Sequence, residues 1–322
     1  MSVLIFGTAF IFLHCNFVIK FKTIFTSTLK SVAQVCLQDS TYTGAFFLLA
    51  IALYSPLYAL CAVAGAAVAN VYAYYRGLVK KELALSDVQN GLYGFNGSLI
   101  GICVAAFLPM NAWSLLFLAV FCVFSVQLVI WVAARSKVSL FTMPFIIVAM
   151  FVYGLGQSLN VTGQDVVPFF DQTFALPLFE SIGQIFLLPN AASGICILLG
   201  FLMASVRAFF ITLWSVGLAY FLAIELGMNA QAINTGLFGF CGILTAHALC
   251  LKGAGRDWWN QSYILPYKIV LGVVLSVLFT QVFILAHLSF FTLPFVLSVW
   301  TLQVMINLPV FRVNARLSKR GI

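Results

Sequence analysis

The sequence predicts an all-α polytopic membrane protein made of two inverted-topology repeats, each with five transmembrane helices and one half-membrane re-entrant helix. Three observations predict it. Of 322 residues, 63% are hydrophobic and only 7% charged, where a soluble domain carries roughly 25% charged residues. Three blocks recur in the same order. Ser31-Val-Ala-Gln34-Val-Cys-Leu37 returns as Ser181-Ile-Gly-Gln184-Ile-Phe-Leu187, Gly91-Leu-Tyr-Gly94-Phe95-Asn-Gly97-Ser-Leu99 as Gly236-Leu-Phe-Gly239-Phe240-Cys-Gly242-Ile-Leu244, and Ser139-Leu-Phe-Thr142-Met-Pro-Phe145 as Ser289-Phe-Phe-Thr292-Leu-Pro-Phe295. The offsets are 150, 145 and 150 (181 − 31, 236 − 91, 289 − 139), so the chain is an internal duplication. Finally, when the apolar runs are counted as spans, all 16 Lys and Arg fall on one face, which the positive-inside rule makes cytoplasmic.

Residues 1–19 are apolar and approach span length, but lack the basic start of a signal peptide and have no apolar counterpart in the second copy. They read as an appendage, interfacial or an extra span. Repeat one covers 20–160 and opens with a segment at 26–38. At about 1.5 Å per residue it cannot cross a core of about 30 Å, and it ends at the turn-rich stretch from Asp39 to Gly44. Spans follow near 44–58, 59–75, 88–109, 111–133 and 143–160, the first two divided at Ser55-Pro56. After a polar linker, 161–172, repeat two (173–310) gives a half-helix at 176–188 and spans near 194–206, 208–225, 235–251, 266–286 and 293–310. Residues 311–322 form a basic cytoplasmic tail. An odd number of spans per copy turns the second copy upside down. In accord with this, the face without Lys or Arg carries Asp165, Asp171, Glu180 and Glu225, and Lys30 is matched by Glu180.

Several function classes are excluded. The net charge of +8 is dispersed over short loops, which reports topology rather than nucleic-acid binding. The eight cysteines stand singly, with no C-x-x-C pair, and read as small buried hydrophobes. No metal or cofactor site is expected. No nucleophile–base pair suggests an enzyme. His14, His247 and His287 have no counterparts, which disfavours a channel with paired pore histidines, and no carboxylate recurs in mid-span in both copies to serve an ion-coupled pump.

Inverted repeats with broken helices place a substrate site at the midplane on the pseudo-two-fold, so polar and aromatic residues present in both copies are the candidates. Gln34 and Gln184 each offer a carbonyl oxygen to an N–H substrate. A lone glutamine would more often tie helices together; recurrence favours a site. Phe95 with Leu99 and Phe240 with Leu244 stand at i, i+4 on one helix face. Glycine rows flank them and allow close backbone approach, so two Phe rings face to face across the axis would leave a slot for a planar molecule. Thr142 and Thr292 precede a proline by two residues, where capping and a lining role are compatible.

A Gln with Gly ten residues on, Gly-Leu-Tyr-Gly-Phe-Asn-Gly and Phe-Thr-x-Pro-Phe, each in two versions, resemble the urea transporter family over roughly residues 25–310. The chain departs at Ser139-Leu140 and Ser289-Phe290, where the family usually has Leu-Pro. The resemblance implies a passive, channel-like urea transporter, with Gln34 and Gln184 at two outer sites, the Phe/Leu pairs as slot walls, and Thr142 and Thr292 at a narrow centre. It also implies slot positions at Leu37 and Leu187, where Phe often stands, and a lipid-embedded homotrimer with one pore per subunit. The expected location is the plasma membrane, or the inner membrane of a Gram-negative bacterium. The alternatives are an ion-coupled transporter of a small amide or amine, and an assembly subunit whose symmetry is purely structural.

Overall fold

The computed structural model describes residues 22–136, 138–159, 176–250 and 265–306, which contain helices and no strand. The expected appendage 1–19, linker 161–172 and tail 311–322 lie outside these residues. In chain order the helices are α1 (22–34), α2 (Thr41–Tyr54), α3 (Pro56–Leu78), α4 (Leu85–Gln89), α5 (Phe95–Phe107), α6 (Ala112–Ala133) and α7 (Met143–Ser158). There follow α8 (Pro177–Gly183), continued by a 3-10 turn at Gln184–Phe186, then α9 (Ala191–Ala204), α10 (Val206–Glu225), α11 (Ala230–Asn234), α12 (Gly239–Cys250), α13 (Leu265–Leu285) and α14 (Leu293–Ile306). The series α1–α7 is thus repeated as α8–α14.

Local chemistry repeats with it. Ser40 and Asn190 cap α2 and α9 by accepting from Thr43 N and Ser193 N, and Ser55 and Ser205 cap α3 and α10 through Tyr58 N and Ala208 N. Since Val206 stands where Pro56 does, the break between these two helices depends on the extended serine cap rather than on proline. Helices α1 and α8 end alike. Leu37 and Leu187 take the left-handed conformation, each with φ 61°. The Leu37 and Gln38 amides bond to Gln34 O and Ala33 O, and those of Leu187 and Leu188 to Gln184 O and Gly183 O. This is the hydrogen-bond pattern of a Schellman cap with leucine where glycine is usual, a strained choice made twice. From α8 the chain turns by 74° into α9.

Ten helices stand where the sequence places spans. Four, α3, α6, α10 and α13, are each long and apolar enough to cross a membrane; α2, α5, α7, α9, α12 and α14 have 12 to 16 residues. The expected spans at 88–109 and 235–251 are both shortened, because Gly91 (φ 78°) and Gly236 (φ 74°) turn the chain ahead of α5 and α12. A Cβ at either glycine would lie 2.4 Å from the backbone nitrogen of Ser31 or Ser181, so these turns seat α1 and α8.

The short helices hold the interior. In α5 every residue from Asn96 to Ala106 is buried, and α3 meets it closely where Gly65 and Gly97 face each other's carbonyls. Of the long helices α6 is the most exposed. Along α6, Trp113, Leu115, Leu116, Val120, Phe124 and Trp131 are all exposed, an apolar surface that water would not tolerate but lipid does. The molecule is an integral membrane protein.

Candidate functional site

Gln34 closes α1, and Gln184 stands at the C-terminal end of α8. Gln34 Nε2 donates to Asn90 O at 3.2 Å, and Gln184 Nε2 donates to Thr235 O at 3.1 Å. A backbone carbonyl only accepts, so the amide nitrogen must face it, and this assigns both side chains without ambiguity. Each Oε1 is turned the other way and accepts no hydrogen bond from the described residues. The acceptors lie in the turns after α4 and α11; in the first, Gly91 O is 3.1 Å from Ser31 Oγ, whose proton has its nearer acceptor in Ser27 O at 2.8 Å. Asn70 Nδ2 braces Ser31 Oγ at 2.9 Å.

One helical turn before each Gln the copies differ in charge. Lys30 Nζ pairs with Asp39 at 2.8 Å and donates to Asn90 Oδ1 at 3.1 Å. Its counterpart is Glu180.

Leu99 and Leu244 are wholly buried and Phe240 nearly so, while Phe95 is half-buried. The ring parallel to Phe240 is Phe290 of the same repeat, with centroids 6.3 Å apart and planes at 14°. Phe95 opens α5 and Phe240 is the second residue of α12. The repeat-one counterpart of Phe290 is Leu140, which has no ring to offer.

At the centre Thr142 Oγ1 and Thr292 Oγ1 are 2.8 Å apart, both buried, at 2% and 4% exposure. The Thr142 side chain does not cap α7, so it is committed to its partner. On either side, Phe141 packs edge-on to Phe295 (5.4 Å, 66°) and Phe145 to Phe291 (5.8 Å, 77°). Phe141 and Phe291 are held in left-handed backbone at φ 47° and 45°. Asn96 fixes this strained entry, donating to Phe141 O and accepting from Phe145 N, both at 3.3 Å. In repeat two Cys241 Sγ points at Phe291 O, 3.7 Å away.

The model of the urea transporter family matches residues 25–306. The chain belongs to the urea transporter family. No curated protein matches it. Family membership makes urea its substrate and transport across a membrane its activity.

For a urea transporter the arrangement is chemically apt. Urea is planar and neutral, with four N–H donors and one carbonyl acceptor, and two open amide oxygens can receive those donors. In the Thr pair one hydroxyl proton lies between the oxygens and the other has no acceptor among the described residues, so the pair can both accept from N–H and donate to C=O. Among the described residues no cluster could hold a metal ion. Sequence reasoning missed four contributors: the Asn90 and Thr235 carbonyls, Asn96, and Phe290. Asn96 lay inside a recurring block but was replaced by Cys in the second copy. Phe290 was visible only as a departure from the family pattern.

Proposed function

We propose that this urea transporter is a passive, channel-like conduit whose path follows the pseudo-two-fold axis. Gln34 and Gln184 receive urea at two outer sites, with Leu37, Phe95 and Leu99 beside one and Leu187, Phe240 and Leu244 beside the other. Thr142 and Thr292 form the narrow centre. The observation that carries this reading is the matched tethering of the two amides, which spends both nitrogens on the protein and leaves both oxygens for substrate N–H groups. Flat apolar walls beside oxygen acceptors favour a planar amide over ions, which lose more hydration than such a path returns.

In this reading the two repeats are inverted in the membrane, with residues 20–30 and the C-terminal tail cytoplasmic, supported by the one-sided distribution of the 16 basic residues. Homotrimeric assembly and a plasma-membrane location follow from the family resemblance. The test is stopped-flow urea flux in liposomes with purified protein. Flux that saturates weakly, runs down the urea gradient in either direction and ignores Na⁺ and proton gradients is expected. Flux that requires an ion gradient overturns the passive mechanism in favour of coupling, and unchanged urea permeability overturns the transport reading of the site.

A further inference from the structure

His247 on α12, three residues beyond Leu244, is 4% exposed and takes no part in the proposed path. Its Nδ1 is 3.3 Å from Gln38 Nε2, its Nε2 is 2.9 Å from Thr212 Oγ1, and its ring stacks on Phe201 at 4.7 Å and 7°. Chemistry fixes the protons. Gln38 Nε2 also donates to Cys36 O at 2.9 Å, which assigns nitrogen to that position, so His247 Nδ1 must accept. Thr212 donates its own proton to Ala208 O at 2.9 Å, so its oxygen must accept from His247 Nε2–H. Both neighbours select the same tautomer, a neutral imidazole protonated at Nε2.

The cluster also joins the repeats. Gln38 belongs to the turn that ends α1, whereas Phe201, Thr212 and His247 lie on α9, α10 and α12. The counterparts of Gln38, Phe201, Thr212 and His247 are Leu188, Ile51, Ala62 and Ile102 (38 + 150, 201 − 150, 212 − 150, 247 − 145), each 0% exposed. Repeat one's re-entrant turn is therefore held by a polar strut where the four equivalent positions of repeat two are apolar. Apolar packing tolerates slippage, but a buried donor left unmatched is costly, so a polar strut selects one arrangement of the turn.

We propose that His247 is a positioning residue which, through Gln38, fixes the turn carrying Leu37 and thereby aims the Gln34 oxygen. The inference rests on Gln34 being a urea ligand.

The test combines ¹⁵N NMR of the histidine side chains in purified transporter with urea binding by His247→Ile, His247→Asn and the double variant Gln38→Leu/His247→Ile. The His247 ring should carry its proton on Nε2. His247→Ile should weaken urea binding about three- to tenfold, both in the native background and in Gln184→Leu, and should add nothing in Gln34→Leu. His247→Asn, whose carbonyl can accept from Gln38, should recover most of the binding. The double variant, which copies the repeat-two arrangement, should recover thermal stability. Equal losses in both glutamine backgrounds, an Nδ1–H tautomer, or a His247→Asn variant as weak as His247→Ile would each overturn the proposal. If the native protein bound no urea, the path itself would be wrong and the aiming role with it, while the tautomer and the stability order of the variants would still decide whether the strut exists.

Discussion

Thr142 and Thr292, 150 positions apart in the chain, share a hydrogen bond of 2.8 Å between their hydroxyls. Equivalent residues related by a two-fold can touch only beside its axis. The flanking rings obey the same rule: Phe141 with Phe295 exchanges into Phe291 with Phe145 when repeats are swapped, as in any self-complementary contact. The axis therefore passes through the centre of the candidate path, and the two hydroxyls form one polar unit there.

Removing one member of that unit should cost more than its share. Thr142→Val or Thr292→Val preserves shape but leaves the other hydroxyl buried without a partner, a penalty of about 1–3 kcal/mol. The double variant strands nothing, so its loss of thermal stability should be smaller than the sum of the two single losses. Urea flux should fall in all three, because each lacks part of the central donor–acceptor pair. Thermal unfolding and stopped-flow flux on the same preparations check this; strictly additive stability losses would mean that the hydroxyls do not depend on each other.

The glutamines admit a sharper experiment. Gln34→Leu and Gln184→Leu remove the oxygen offered to urea, and each should weaken binding by roughly ten- to a hundredfold. On sequence grounds alone Gln→Glu retains acceptor oxygens and should do less harm. The bonds to Asn90 O and Thr235 O reverse that expectation. An ionised Glu would set one carboxylate oxygen against a carbonyl oxygen and lose the tether, so at neutral pH it should bind urea no better than Leu. Glu variants with near-native binding would show that the tether is dispensable.

What the sequence made legible was whatever recurred. The matched blocks located Gln34, Thr142 and their counterparts, and these are the residues the fold brings beside re-entrant turns and the axis. The repeat could not show where paired positions have diverged. Asn96 and Cys241 both contact the carbonyl before a central threonine, yet they look unrelated in a list of residues. Backbone carbonyls such as Asn90 O leave no side-chain signature at all. The span expected at 88–109 is shortened to Phe95–Phe107 because hydrophobicity does not register the left-handed turn at Gly91. The Phe240–Phe290 pair leaves no such signal either, because a ring pair within one copy is invisible to a search for symmetry.

Orientation is open to direct labelling. With the repeats inverted, Leu226→Cys, after α10, faces outside and Lys80→Cys, after α3, faces the cytoplasm. Both positions are exposed, and six of the seven described native cysteines are buried, so an impermeant thiol reagent added to intact cells should label the first and not the second. The opposite pattern would reverse the topology, and labelling of both from outside would end the inverted arrangement.

The last prediction concerns inequality between the two outer sites. Phe240 has a parallel ring 6.3 Å away in Phe290, while Phe95 has Leu140 in the corresponding place. The family often supplies an aromatic residue three positions after the Gln, and here both copies have leucine, so Phe290 is the candidate for a second flat face in repeat two alone. Aromatic contacts of this kind contribute about 0.5–1.5 kcal/mol beyond area burial. Phe290→Leu should therefore weaken urea binding at the Gln184 site by roughly two- to tenfold and leave the Gln34 site unchanged, as read in Gln34→Leu and Gln184→Leu backgrounds. Leu140→Phe, placing a ring in the equivalent position of repeat one, should strengthen the Gln34 site in the same proportion. If Phe290→Leu altered thermal stability but neither site's affinity, the parallel rings would be packing, and the two outer sites would differ only through Lys30 and Glu180.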